Sequence, residues 1–138
     1  MLTLAILKPD AVGARAAGKI LAHLEQAGFA VRAARVVRLT TAQAETFYAV
    51  HRERAFFRSL VTFMTSGPVL ALALEREDAV AVLRELIGAT DPAEARPGTI
   101  RKLYAASKER NAIHASDSPE NAQREVGFFF AEADLTSA

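Results

Sequence analysis

The sequence contains no cysteine. Disulfides, thiolate metal sites and cysteine nucleophiles are therefore excluded, and a reducing, cytoplasmic setting is the expectation. It has little charge of either sign to spare: 17 basic against 16 acidic residues, a formal net charge of +1. Nucleic-acid binders carry a basic excess or stripe, and none stands out, although a few arginines around a phosphate chain remain compatible. No apolar run approaches the roughly 20 residues that span a bilayer. The apolar start, Leu2 to Leu7, meets Lys8, Pro9 and Asp10 at once. It lacks the basic start and small-residue cleavage site of a signal peptide. There is no repeat and no low-complexity stretch. The 138 residues are expected to form one domain, residues 1–138, long enough to bury roughly two-thirds of its unfolded surface.

Hydrophobic spacing then gives the elements. Leu2–Leu7 reads as a buried strand closed by Lys8-Pro9-Asp10. Ala16, Ala17, Ile20, Leu21, Leu24 and Ala27 recur at helical spacing, with Gly28 as the stop. Val31–Leu39 is valine-rich and predicts a second strand. Thr40 with Gln43 has the form of a capping box, opening a helical region that runs to Met64 with a break near residues 52–54. Val69–Leu74 predicts a third strand, Glu77–Ile87 an amphipathic helix ended by Gly88, and residues 89–97 a loop. A short helix is expected from Thr99, a last strand at Ala112–His114, and a helix after Ser118-Pro119. This order suits an α/β (α+β) sandwich of ferredoxin-like type, a four-stranded antiparallel sheet covered by helices over one face.

Gly13 to Ile20 has the glycine and lysine spacing of a phosphate-binding P-loop, between a strand and a helix. Ile20, however, stands where a hydroxyl should meet Mg²⁺. Ala16, Ala17 and Ile20 also belong to a buried helical stripe. The expectation is a helix with a solvated Lys19, and a P-loop kinase is the enzyme alternative.

Of the three histidines, His23 and His51 have nothing around them to suggest chemistry. His114 differs. Asn111-Ala112-Ile113-His114-Ala115-Ser116-Asp117-Ser118 joins a predicted strand to a capped helix, a junction that can hold an imidazole at a cleft edge. Elsewhere stand Lys8-Pro9-Asp10, Arg54-Ala55-Phe56-Phe57, Ser66-Gly67-Pro68, Gly88-Ala89-Thr90-Asp91-Pro92 and Pro97-Gly98-Thr99-Ile100-Arg101. Together and in this order, over roughly residues 2–131, these resemble the motifs of nucleoside diphosphate kinases.

The resemblance implies that His114 is the nucleophile, taking the terminal phosphate of ATP and passing it to a nucleoside diphosphate in a ping-pong reaction. Histidine's ordinary pKa of about 6.5 leaves it neutral near pH 7. By the same resemblance Arg84, Arg101 and Thr90 grip the outer phosphates, where arginine's planar fork suits phosphate oxygens. Lys8 and Asn111 match residues that contact the sugar hydroxyl, and Tyr48 one near the transferring phosphate. Glu125 matches the carboxylate behind the histidine, and Phe56 the aromatic on which any base stacks. Mg²⁺ would arrive bridging the phosphates, since the sequence offers no carboxylate cluster to hold it. A homo-oligomer, hexamer or tetramer built from dimers, is implied.

Some residues depart from the family pattern. Ala55 stands where proline is usual, which would loosen the helix start that follows. Ala115 replaces a glycine, and is strained if the backbone needs φ > 0 there. Lys102-Leu103-Tyr104 replaces a small-acidic-aromatic run. From a different functional class, an RNA-binding module would want aromatics on its strands. Leu2–Leu7 and Val69–Leu74 carry none.

Overall fold

The apolar run Leu2–Leu7 forms strand β1 in the computed structural model, which describes residues 1–135. β1 lies between β3 (Val69–Glu75) and β4 (Ile113–Ala115), antiparallel to both, and β2 (Ala30–Val37) pairs antiparallel with the outer side of β3. The sheet order β2-β3-β1-β4 is the ferredoxin-like arrangement.

Helices cover both faces of this sheet, not one as the sequence pattern suggested. Successive side chains along β1 point to opposite faces. Leu4 and Ile6 enter one core with Phe47, Phe57, Val61, Met64, Val126 and Phe129. Ala5 and Leu7 enter the other with Ile20, Leu24, Leu83, Ile87 and Ile100. A strand covered on one side only alternates apolar and polar residues. Leu2–Leu7 shows no such alternation, and even its one polar residue, Thr3, is fully buried.

Three local sequence signals place the elements nearest the site. Thr40 caps helix α3 (Thr41–Phe47): its Oγ1 accepts from the Gln43 amide at 3.1 Å while Gln43 Oε1 accepts from the Thr40 amide at 2.9 Å. The Thr99 hydroxyl caps α6 (Ile100–Tyr104). Ser118 Oγ accepts from the Asn121 amide at 3.1 Å to start α7 (Pro119–Phe129), with Pro119 in its first turn. Each satisfies an amide that the first helical turn would leave unpaired.

Other boundaries moved. The break between α3 and α4 (Phe57–Met64) is wider than expected, containing a 3₁₀ turn at Ala49–His51, and it leaves Phe56 exposed at the start of α4. A short helix α1 (Pro9–Gly13) precedes α2 (Ala17–Gln26), and five residues are too few to show a periodicity. In α2 Ile20 and Leu24 are fully buried and Lys19 is exposed, as the helical stripe required. α5 spans Ala79–Ile87, two residues shorter at its start than predicted. No helix among the described residues is long and apolar enough to cross a membrane.

Candidate active site

Strand β4 has only three residues, yet it fixes the centre of the site. It starts one residue later than expected, and its pairing sets His114 opposite Ile6 of β1. The side chain therefore points to the face covered by α3 and α7. There the imidazole meets the ring edges of Phe47 and Tyr48, with centroids 5.4 Å and 6.0 Å away. Its Nε2 lies 2.8 Å from Glu125 Oε1, on the inward side of α7. The same oxygen accepts the Ser116 hydroxyl at 2.8 Å, and Arg124, anchored on the Phe47 carbonyl, stands 3.9 Å from the other oxygen.

Burial disfavours the imidazolium and holds the His114 pKa below its ordinary value, against the raising effect of Glu125. Burial alone would raise the Glu125 carboxyl, but His114, then the Ser116 hydrogen bond and the Arg124 charge, together outweigh it and hold it low. The pair is a neutral imidazole donating to a carboxylate. An acceptor-only carboxylate fixes the proton on Nε2, which leaves Nδ1 with the free lone pair.

His114, Glu125 and Tyr48 line a cavity of about 500 Å³ together with Phe56, Arg84, Thr90 and Arg101. Arg101 is 6% exposed and its guanidinium donates to the Gly88 carbonyl at 3.1 Å and the Ile113 carbonyl at 2.8 Å. Burial and then the charge of Arg84 lower its pKa to about 10, so it stays a cation at pH 7. Arg84 is more exposed and donates to the Ala115 carbonyl at 3.2 Å. Two guanidiniums thus stand close together, a repulsive arrangement that an anion between them relieves. Tyr48 Oη is buried with no hydrogen-bond partner among the described residues, and burial followed by the Glu125 charge pushes its pKa up.

Lys8 and Asn111, expected in the same group, do not line this cavity. Both are buried beside it, at 6% and 3% exposure. Asn111 Nδ2 donates to the Thr90 carbonyl at 3.4 Å. Burial and then the Arg101 charge lower the Lys8 pKa to about 8, with Asp10 and Glu109 opposing.

Sequence reasoning missed several lining residues: Phe47, His51, Asp117, Asn121 and Arg124. His51 tilts against Phe56 with centroids 5.5 Å apart and extends the aromatic wall. Phe47 and His51 come from the end of α3 and the break that follows it, while Asp117, Asn121 and Arg124 come from the start and body of α7, where Asn121 and Glu125 share a helix face. Among the described residues Asp117 and Glu125 are the only carboxylates on the wall, and the latter is engaged by His114 and Ser116. Among the described residues no group of three or more His, Asp or Glu side chains could hold a metal ion.

Lys19 is exposed on α2, as expected, and the Gly13–Ile20 segment of the P-loop alternative lies on α1, α2 and the exposed turn between them, away from the cavity. Ala115 is a regular member of β4 without a positive φ, which in this segment falls on Ala112 at +72°. A larger hollow of about 670 Å³ adjoins α5 and shares only Arg84 with the histidine cavity; no histidine is among its described lining residues.

Comparison with known proteins agrees with this geometry. The family model described as nucleoside diphosphate kinase matches residues 2–135. A nucleoside diphosphate kinase of Sorangium cellulosum is 60% identical over 129 residues, covering 94% of this chain and 90% of that protein. One from Halorhodospira halophila is 56% identical over 135 residues, covering 98% and 96%. Among solved structures, the Aquifex aeolicus nucleoside diphosphate kinase superposes with a TM-score of 0.96 at 51% identity, covering 98% of each chain. The Halobacterium salinarum enzyme, solved in complex with CDP, gives 0.95 at 37% identity, covering 100% of this chain and 92% of that one. The chain belongs to the nucleoside diphosphate kinase family, enzymes that pass the terminal phosphate of a nucleoside triphosphate to a nucleoside diphosphate.

Proposed function

We propose that in this chain the phosphate travels through His114 Nδ1. The observation that most supports this is the 2.8 Å contact between Nε2 and Glu125, which leaves Nδ1 as the free nitrogen of the ring. Nδ1 attacks the terminal phosphorus of a nucleoside triphosphate. The bond to the bridging oxygen breaks, and the nucleoside diphosphate leaves with that electron pair. A second nucleoside diphosphate then attacks the phosphohistidine and the N–P bond breaks, returning the lone pair to Nδ1. Glu125 holds the ring and its Nε2 proton throughout.

Phosphoryl transfer needs positioning and cancellation of spreading charge rather than protein acid–base chemistry. Arg101 and Arg84 take the outer phosphates in this reading, with Thr90 adding a hydroxyl. The Tyr48 hydroxyl meets a phosphate oxygen in this reading, and Lys8 and Asn111, buried beside the cavity, meet the sugar hydroxyl. The base stacks on Phe56, which is 47% exposed at the cavity mouth. Stacking tolerates every base, and the CDP bound to the halobacterial relative is consistent with that. The divalent ion is Mg²⁺, arriving as part of the nucleotide substrate, where it offsets charge on the phosphate oxygens. A wall with no carboxylate cage fits an ion that travels this way.

The chain is read as one kinase domain over residues 1–138, acting in the cytoplasm as a hexamer or tetramer of dimers. Edge strand β2, with Val36 exposed at 72%, supplies an apolar contact for assembly.

Incubation with γ-labelled ATP alone tests the mechanism. Label should stay on the protein and ADP should leave before any acceptor arrives. The label should survive alkali and be lost in acid, as a phosphate on nitrogen is. His114→Ala should abolish it, and Lys19→Ala should leave it unchanged. Intersecting steady-state lines with an inactive Lys19→Ala would overturn this reading.

A further inference from the structure

We propose that Asp10 is a positioning residue for phosphoryl transfer, holding the peptide of Ala112 that sets where Asn111 and His114 stand. The proposal rests on His114 being the phosphate carrier. Ala112 has φ +72°, in the left-handed region that a Cβ disfavours. Across it the Ile113 amide donates to the Asn111 carbonyl at 2.8 Å, closing a three-residue γ-turn. Strained backbone of this kind persists only where its surroundings over-determine it.

The surroundings do so from the β1–α1 junction. The Lys8 amide donates to the Ala112 carbonyl at 2.9 Å, and the Ala112 amide donates to Asp10 Oδ2 at 3.1 Å. Both polar groups of one fully buried residue are thus gripped by a segment 102 positions away in sequence. The main-chain half of the grip is available to any residue at position 8. The side-chain half needs an acceptor at position 10.

The consequences run in both directions along the chain. On one side Asn111 turns its amide toward Thr90 at the cavity. On the other, Ile113 enters β4 with its carbonyl on Arg101, and His114 follows in register with Ile6. Release of Ala112 lets the turn relax toward ordinary φ, which swings Asn111 and shifts β4 against β1. The ring then loses its fixed distance to a phosphate held by Arg84 and Arg101. A misplacement on the order of 1 Å costs phosphoryl transfer about 100-fold.

The test measures single-turnover labelling of the full-length chain by γ-labelled ATP, alongside ADP affinity by calorimetry. Asp10→Ala should slow labelling by about 10- to 100-fold while ADP affinity, carried by Phe56 and the arginines, changes far less. Asp10→Asn keeps an oxygen acceptor for the Ala112 amide and should retain most of the wild-type rate. Adding Ala112→Gly to Asp10→Ala should recover much of the loss, because glycine holds positive φ without a strap. Wild-type labelling by Asp10→Ala overturns the proposal. So does Asp10→Asn as slow as Asp10→Ala, which would assign the effect to the charge beside Lys8. Failure of glycine to rescue overturns the route through Ala112. Hydrogen exchange at the Ala112 amide serves even if Asp10→Ala does not fold: slow exchange in the wild type and in Asp10→Asn is expected, and fast exchange in the wild type overturns the grip. A wild-type enzyme that takes no label on His114 would instead defeat the proposed function itself.

Discussion

Glu125 Oε1 lies 2.8 Å from His114 Nε2, a hydrogen bond that ties α7 to β4. The carboxylate decides which ring nitrogen is free. Glu125→Gln keeps the shape but can present its amide nitrogen to the ring, which favours the other tautomer. Labelling of His114 should slow by about 10- to 100-fold, the scale seen when a partner that orients a functional histidine is lost. Nucleotide affinity should hold, since Glu125 touches no phosphate in this reading. Unchanged labelling in Glu125→Gln would remove the carboxylate from the mechanism.

The transfer rate should have two pH limbs. His114 must be neutral, and burial holds its pKa below 6.5. The rate should therefore persist below pH 6.5 and fall only as pH drops through that lowered value. Lys8 meets the sugar hydroxyl as a cation in this reading, and its pKa is lowered to about 8. The rate should fall as pH rises through about 8. The lysine's effect on stability has the opposite sign. Between about 8 and its unfolded value of 10.5 the unfolded chain binds the extra proton, so this contribution rises with pH. A rate that stays flat to pH 10 would show that the Lys8 charge is not used.

Phe56 is half-exposed against His51, and the wall carries no group that reads one base edge in this reading. Phe56→Ala should weaken ADP, GDP, CDP, UDP and dTDP alike, by about 1–3 kcal/mol each. Calorimetry on the five diphosphates checks this. A loss confined to one base would mean a hydrogen-bonding pocket.

Gly88 is held open by its neighbour. Its φ is +88°, and a Cβ built there would lie 2.7 Å from Thr99 Oγ1, the side chain that caps α6. Its carbonyl also receives Arg101. Gly88→Ala should cost about 1–3 kcal/mol from backbone strain alone. It should also raise KM for nucleotides by loosening Arg101. Thermal unfolding and steady-state kinetics measure the two effects, and a variant with wild-type values in both would contradict this packing.

Val36 is the most exposed large hydrophobic side chain of edge strand β2. If β2 is the assembly face, Val36→Glu should lower the mass measured by light scattering at micromolar concentration and leave the sheet intact. A wild-type chain that scatters as a monomer would refute assembly itself.

The sequence alone determined those features whose causes are local. The capping residues Thr40, Thr99 and Ser118, the buried stripe of α2 and the unbroken run of β1 each act within a few positions, and each element formed where its signal lay. The motif order around His114 also sufficed to name the family. Tertiary structure decided what depends on residues distant in the chain. The unbroken run of Leu2–Leu7 fits cover on both faces, but which helices supply that cover is settled only when elements from both halves pack on it. The free nitrogen of His114 depends on Glu125 arriving from α7, and the strain at Ala112 on Asp10 and Lys8 arriving from the opposite end. The departure at Ala115 meets no positive φ, since register with Ala5 places it in regular extended strand, while the strained residue three positions earlier carried no sequence mark. Backbone strain is a property of closure between segments, and closure is what a linear pattern does not encode.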